Sequence, residues 1–215
     1  MEQPTPTPLL RVTHSVAGVA DTLGPGRRAV VWVQGCSIHC DGCIVPESWG
    51  TQTGIWVDPA DLAMQLLGGS EADLTVSGGE PTEQAAAVAV LLRAARALGR
   101  TTWVYTGRRL EDLVSEGAED VLLMLSLTDV LVDGPYEREV AGGVGYRGSR
   151  NQRIIRLTDA IPAELANSGK PGKIEIRLDS DDGLVLIGIP EPGTLGKLAS
   201  ALAARGIALK SHHWR

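Results

Sequence analysis

All three cysteines of this chain fall in one short loop, Gly35-Cys36-Ser37-Ile38-His39-Cys40-Asp41-Gly42-Cys43, and the rest of the 215 residues contain none. No other feature constrains the chain as strongly, because C-x3-C-x2-C points to an iron–sulfur cubane with one iron left open. A cubane needs a ligand on each of four irons, commonly four thiolates, so three thiolates leave one corner for another donor. An open corner implies chemistry rather than storage of an electron.

Two blander readings compete for the loop taken alone. A structural zinc site closes its tetrahedron with four Cys or His ligands, often as two separated pairs, and here the second pair is missing. His39 could supply a fourth donor, but it adjoins Cys40 directly. A disulfide framework is disfavoured by the odd count and by the length of the chain, and no secretory leader is expected. A non-catalytic iron–sulfur or zinc protein therefore stays open as the reading from another functional class.

The second motif lies downstream, where the apolar run Leu74-Thr75-Val76 leads into Ser77-Gly78-Gly79-Glu80-Pro81. The order is strand, glycine turn, carboxylate, helix start. Glycines let a backbone pass close to a ligand, and proline suits the first turn of a helix, where an N–H is dispensable. Glu80 at the strand end is suited to hold an ammonium group by charge-assisted hydrogen bonds. Alone, the segment would read as an ordinary strand-to-helix turn.

Together the two motifs resemble the radical SAM superfamily, in which C-x3-C-x2-C binds a [4Fe-4S] cluster and a Gly-Gly-Glu-Pro segment holds the methionine end of S-adenosylmethionine. The resemblance implies that Cys36, Cys40 and Cys43 ligate three irons and that the nucleoside's amino and carboxylate groups chelate the fourth. It also implies that Glu80, beside Gly78 and Gly79, receives the ammonium. The implied activity is reductive cleavage of the sulfonium to methionine and a 5′-deoxyadenosyl radical, which takes hydrogen from a substrate. Such a radical demands a dry site and a closely placed C–H bond.

The remaining chain fits an α/β organisation. β-rich runs at 29–33, 74–76, 102–105 and 130–132 alternate with helical patterns at 59–67, 82–98 and 110–116. Such alternation argues for a parallel sheet with helices outside, whose sites lie at the carboxyl ends of the strands. On this reading the cysteine loop follows the first main strand and Glu80 the second. Too few strands are legible for an eight-stranded barrel, and the resemblance implies the partial (βα)6 barrel of the superfamily, open at the side. Residues 1–8 alternate proline with polar residues and read as a flexible arm. Residues 9–160 form the expected core, and 161–215 an extension containing a β-hairpin and a helix from about 194 to 205. His212, His213 and Trp214 read as a frayed terminus rather than a metal site.

The segments Tyr105-Thr106-Gly107, Asp129-Val130-Leu131-Val132-Asp133-Gly134-Pro135 and Tyr146 to Arg153 look like successive signatures of anaerobic ribonucleotide reductase activating proteins, which install a glycyl radical on a protein partner. By that likeness Thr106, Asp133 and Asn151 join the nucleoside-binding residues. The strand-end rule supports Thr106 and Asp133, whereas Asn151, Gln152 and Arg153 precede an apolar run and rest on the likeness alone. Two departures stand out. After Cys43 the chain reads Ile44-Val45-Pro46-Glu47-Ser48-Trp49 where these activases tend to continue Tyr-Asn, and compact activases largely lack the tail. Direct modification of a peptide or small molecule is therefore the competing enzymatic reading. The absence of further cysteines argues against a second cluster.

A formal net charge of −6 argues against a broad nucleic-acid or anionic-membrane surface, and no apolar stretch reaches bilayer length. Reduced thiolates and an oxygen-sensitive cluster fit the cytoplasm. The expected partners are a glycyl-radical enzyme, or else a peptide or small-molecule substrate, together with a flavodoxin- or ferredoxin-like electron donor.

Overall fold

β1 (Leu10–Ala20) and β2 (Arg27–Val33) form an antiparallel pair at the start of a seven-stranded sheet. The structure, a computed structural model, describes residues 7–142, 144–178 and 184–207. Along the chain follow β3 (Ile55–Val57), α1 (Pro59–Leu67), β4 (Asp73–Gly78), α2 (Ala85–Ala97), β5 (Thr102–Tyr105), α3 (Leu110–Glu116), α4 (Glu119–Ser126), β6 (Val130–Asp133) and β7 (Arg153–Arg156). The sheet order is β3-β1-β2-β4-β5-β6-β7. β2, β4, β5 and β6 run parallel, while β1, β3 and β7 pair antiparallel with their neighbours.

The fold is α/β as expected, but the sheet does not close. Four parallel strands carry the centre, and antiparallel strands occupy both edges. Parallel strands buried on two faces need near-continuous apolar sequence, and β2 and β6 have it. Ala29, Val31 and Val33 face the helical layer with Leu74, Val76, Val104 and Leu131. Leu62 and Leu66 of α1, Val88, Leu91 and Leu92 of α2, and Val121 and Met124 of α4 meet them. Replacing a fully buried leucine here, such as Leu92, by alanine should cost about 2–5 kcal/mol.

The opposite face carries Val30, Trp103, Val130 and Val132, with Trp32 and Tyr105 half-buried. Residues beyond β7 cover it. Ile161 and Ala166, the latter in α5 (Ala163–Ala166), pack on Trp103 and Val130 beside Tyr146. β8 (Ile174–Leu178) and β9 (Leu184–Gly188) form a separate antiparallel hairpin whose fully buried Ile187 packs on Val19, Leu23 and Val30. Arg177 donates to the Ala17 and Gly18 carbonyls at 2.6 and 2.9 Å, and Lys173 pairs with Asp21 at 2.8 Å. α6 (Thr194–Ala203) follows the hairpin. The expected hairpin and helix are thus present; the turn at 179–183, the first six residues of the arm, and His212, His213 and Trp214 lie outside the described residues. Among the described residues, no helix is long and apolar enough to cross a membrane.

Several elements differ from the sequence expectation, the short β3 and α5 among them. β1, not anticipated, precedes the strand that leads to the cysteines. Its register shifts between Val16 and Val19, where Gly18 takes a φ of 65°. A bulge breaks the alternation that marks a strand. α4 is a short apolar segment of the kind periodicity cannot assign. The long helix expected over 82–98 is divided: Pro81–Gln84 forms a tight 3-10 turn and α2 begins at Ala85.

Candidate functional site

Two strand ends are joined backbone to backbone beside the cysteine loop. Beyond β2 and β4 the Gly79 N–H donates to the Val33 carbonyl and the Glu80 N–H to the Gly35 carbonyl, both at 2.8 Å. This seam explains the glycine pair. A Cβ on Gly79 would run into the Gly35 carbonyl oxygen, and one on Gly78, whose φ is 97°, would lie 2.6 Å from Trp32 Cα and Val33 N. The sequence expectation was close approach to a ligand. The approach seen is to the backbone of β2 and the start of the cysteine loop.

Side chains continue the seam. Gln34 Nε2 donates to the carbonyls of Glu47 and Gly50, and Gln84 Nε2 to those of Arg11 and Gln34, closing the loop's two arms around β1 and β2. Glu83 Oε1 accepts from both the N–H and the hydroxyl of Ser37, at 2.7 and 2.6 Å. Ile38 lies over Gly107, where an added Cβ would sit 2.5 Å from its Cδ1. Asp41 pairs with Arg138 at 3.2 Å, and His39, with a φ of 50°, stacks on Trp49 at 4.7 Å. The loop is therefore held from three sides: the helix start after β4, the turn after β5, and residues beyond β6.

Cys36, Cys40 and Cys43 are half-buried free thiols. Burial pushes the Cys36 thiol up, while the amide N–H groups of His39 and Ile38 favour its thiolate. Burial likewise raises Cys43, opposed by the Val45 amide and the Trp49 indole. Among the described residues no three His, Cys, Asp or Glu side chains gather as a single-ion site. A cubane, by contrast, takes each thiolate on a different iron. Cys36, His39, Trp49, Thr51 and Glu83 line an open cavity of about 430 Å³.

Glu80 is buried, 1% exposed, and its carboxylate ties β4 to β5. Oε1 accepts from the Thr82 N–H and hydroxyl and from the Thr106 hydroxyl, at 3.0, 2.8 and 2.8 Å. Among the described residues Oε2 accepts only from the Gly107 N–H, at 2.9 Å. Burial pushes this carboxyl up, and these hydrogen bonds oppose the rise. One oxygen is saturated and the other keeps acceptor capacity, which suits a further donor. Thr106 is thus brought to Glu80, as its strand-end position suggests.

Asp133 is buried but engaged elsewhere. Its oxygens accept from the Leu110 N–H at 2.9 Å, from Arg153 Nε at 2.9 Å, and from a second nitrogen of Arg153. Arg153 also forks onto Glu111 at 2.9 and 2.7 Å. Asp129, at the other end of β6, receives the Thr102 N–H and Arg96. Asn151 donates to the Pro135 carbonyl at 2.8 Å, and its Oδ1 is buried without a partner. Because β7 runs antiparallel to β6, Arg153 pairs with Asp133, so residues 151–153 stand at the same sheet edge as the cysteine loop. The strand-end rule excluded them only because β7's direction is not legible in its sequence.

The residues present fit an iron–sulfur cluster and a polar nucleoside. The donor set is three free thiols with amide and indole N–H groups favouring the thiolates of two of them, and a buried carboxylate oxygen and an orphaned amide oxygen are both available as acceptors. Sequence reasoning did not single out Ser37, Thr82 or Glu83, and it named Arg153 on the likeness alone, not as the partner of Asp133. Glu83 carried a signal, since it stands three residues after Glu80 in the first helical turn, but its partner in another loop is visible only in the fold.

The family described as a 4Fe-4S single cluster domain matches residues 22–155. The anaerobic ribonucleoside-triphosphate reductase-activating protein of Enterobacteria phage T4 is 32% identical over 145 residues, covering 64% of this chain and 89% of the relative. The protein of that name from Vibrio cholerae is 33% identical over 150 residues, 63% of this chain and 91% of the relative. That of Escherichia coli K12 is 29% identical over 147 residues, 62% and 91%.

Proposed function

The chain belongs to the 4Fe-4S single cluster domain family and to the anaerobic ribonucleoside-triphosphate reductase-activating proteins, and from that premise we propose that it is a glycyl-radical activase working on a protein partner. Its cofactors are a [4Fe-4S] cluster and S-adenosylmethionine. When bound, these supply one-electron cleavage of a carbon–sulfur bond and a 5′-deoxyadenosyl radical that takes hydrogen from a substrate. The open sheet, bounded by β3 and β7, serves as the partial barrel that the radical SAM resemblance implies.

In this reading Cys36, Cys40 and Cys43 ligate three irons, and the seam at Gly79 and Glu80 fixes their loop against β4. Glu80 Oε2 receives the ammonium of the methionine end while Oε1 stays tied to Thr82 and Thr106. Gly78 and Gly79 keep the β4 turn low beside that end. Thr106 orients Glu80, and Asn151 Oδ1 accepts a donor of the nucleoside. Asp133 acts through Arg153, holding the start of β7 at the edge instead of touching the nucleoside. The external electron donor is a flavodoxin- or ferredoxin-like protein, and the setting is the cytoplasm.

The observation that carries this reading is the joining of the cysteine loop and Glu80 through paired main-chain bonds at one sheet edge. One observation favours a second reading, direct modification of a peptide or small molecule. The extension buries Ile187 on Val19 and Val30, covering part of the face that the helices leave free. The test is anaerobic incubation of the reduced, reconstituted protein with S-adenosylmethionine and a candidate glycyl-radical enzyme, followed by electron paramagnetic resonance. A glycyl signal on the partner, with matching release of 5′-deoxyadenosine, supports activation. Release of 5′-deoxyadenosine with a small substrate or peptide, and no signal on any protein partner, supports the second reading.

A further inference from the structure

Tyr146 holds a backbone conformation that few bulky residues take. Its φ is 54°, in the left-handed region, and the residue is only 3% exposed. A side chain of this size stays in that region only where its surroundings fix it from several sides. The Tyr105 hydroxyl donates to the Tyr146 carbonyl at 2.9 Å, and the Tyr146 ring stands edge-on to Trp103 with centroids 5.5 Å apart. Two further holds involve the extension. An added Cβ on Gly169 would lie 2.7 Å from the Tyr146 ring, and one on Gly145 would run into the Gly169 carbonyl, so the two backbones are in contact here. The Tyr146 hydroxyl donates to Asp21, whose other oxygen receives Lys173 at 2.8 Å. Gly169 and Lys173 both lie beyond the family match, which ends at residue 155.

The segment that follows Tyr146 carries Asn151 and is tied together around Gln152. Its Oε1 accepts the Gly148 N–H at 2.8 Å, its Nε2 donates to the Gly134 carbonyl at 2.9 Å, and Arg147 donates to its own carbonyl at 3.0 Å. A turn closed on itself in this way shifts as a unit. Arg153 on Asp133 fixes its far end, and Tyr146 is where it begins.

We propose that Tyr146 is a positioning residue through which the docked extension sets the place of residues 147–152 at the sheet edge. The use of this placement for the nucleoside rests on the reading that Asn151 meets it. Every link is a contact: Lys173 and Asp21 hold the hydroxyl, Gly169 holds the ring, and the ring holds a strained backbone one residue before the turn. When a hold is lost, the strain at Tyr146 relaxes and the turn opens locally. The extension is then part of what shapes the site, and not only a cover for the apolar face.

The experiment is hydrogen–deuterium exchange, read by mass spectrometry, on the reconstituted full-length protein and its Y146F, K173M, K173R and G169A variants, followed by titration of each with S-adenosylmethionine. Y146F removes only the hydroxyl, K173M removes the charge and keeps the aliphatic stem, and G169A adds a methyl against the ring while leaving every hydrogen-bonding group in place. Peptides covering 147–152 should exchange about tenfold faster in these three. The cysteine-loop and β4 peptides should be unchanged, with full cluster content, and K173R should exchange as the unaltered protein does. Nucleoside affinity should fall about fivefold to tenfold in the same three variants. Unchanged exchange at 147–152 overturns the inference, and so does a rise spread evenly over the whole sheet. Faster exchange at 147–152 with nucleoside affinity intact supports the inference and overturns instead the reading of Asn151 as a nucleoside contact. If Y146F does not fold, K173M against K173R decides by the same comparison, since the Lys173 side chain is 37% exposed.

Discussion

The sheet edge that carries the candidate site is fastened differently at its two sides. Between β2 and β4 the join is main chain on main chain, with Gly79 and Glu80 N–H groups bonded to Val33 and Gly35 and no room for a Cβ at Gly78 or Gly79. Between β6 and β7 it is charge on charge, Asp133 against Arg153 and Arg153 against Glu111. A main-chain seam is indifferent to pH and salt but cannot tolerate a side chain. An ion-pair clasp accepts substitution at a graded cost and responds to protonation. The cysteine loop, which has to hold its thiols in fixed positions, hangs on the first kind of join. The Asn151 segment, at the start of β7, hangs on the second.

The contrast is broken most directly by G79A. The added methyl meets a backbone carbonyl that cannot move without dragging the cysteine loop, so destabilisation of about 1–3 kcal/mol or more is expected. Cluster content after reconstitution should fall to a small fraction of the unaltered level, measured by iron and sulfide assay. Retention of both stability and cluster would mean the seam is not what holds the loop.

E80Q ranks next. It removes the charge beside Oε2, and charge-assisted hydrogen bonds contribute about 1.5–3 kcal/mol, so affinity for S-adenosylmethionine should fall roughly tenfold to a hundredfold with the cluster intact. Burial raises the Glu80 pKa, and the sign of its pH dependence follows. The folded protein holds this proton to higher pH than the unfolded chain does. Glu80's own contribution to stability is therefore fully present below its ordinary value and is lost as pH rises through the raised one. Nucleoside binding runs the other way, because the ammonium needs the carboxylate. Calorimetry on the unaltered protein should show affinity falling as pH drops through that raised value, and the E80Q profile should be flat across the same range.

D133N tests the second join. The loss of one charge-assisted interaction with the half-exposed Arg153 should cost about 1–3 kcal/mol, towards the lower end because the arginine is partly solvated. Thermal unfolding would read the loss, and cluster content should not change. If D133N emptied the cluster as fully as G79A, the two sides would not be independent.

The smallest effect is expected from E111Q. Arg153 holds the Glu111 carboxyl down at about 2. A lowered pKa contributes stability above the ordinary glutamate value, and that stability is lost as pH falls through about 2. Glu111 is solvent-exposed, so its share is slight and screened by salt. Acid unfolding followed by circular dichroism at low and high salt should separate E111Q from the unaltered protein only at low salt.

Legibility followed the same division. The cysteine loop, Gly78-Gly79-Glu80 and Thr106 could be read from the sequence because short motifs carried them and strand ends located them. The parallel centre at β2, β4, β5 and β6 was equally legible, its apolar runs separated by helical patterns. What stayed hidden depended on direction or on distant partners. β7 reads the same whether parallel or antiparallel, and only the antiparallel choice brings Arg153 to Asp133. The bulge in β1 removed the alternation that would have announced it, and the glycines of the β4 turn answer to the Gly35 carbonyl, a contact no local pattern encodes. The extension could be read as hairpin and helix, but its docking on residues 17–22 through Arg177 and Lys173 could not.

The account depends most on an open iron beside Glu80. Anaerobic reconstitution followed by electron paramagnetic resonance of the reduced protein, with and without S-adenosylmethionine, tests it directly. The expected result is about four irons and four sulfides per chain and a cluster signal whose shape changes on adding the nucleoside, with the change weakened in E80Q. A chain that binds zinc without sulfide, or a cluster signal indifferent to the nucleoside, would contradict it.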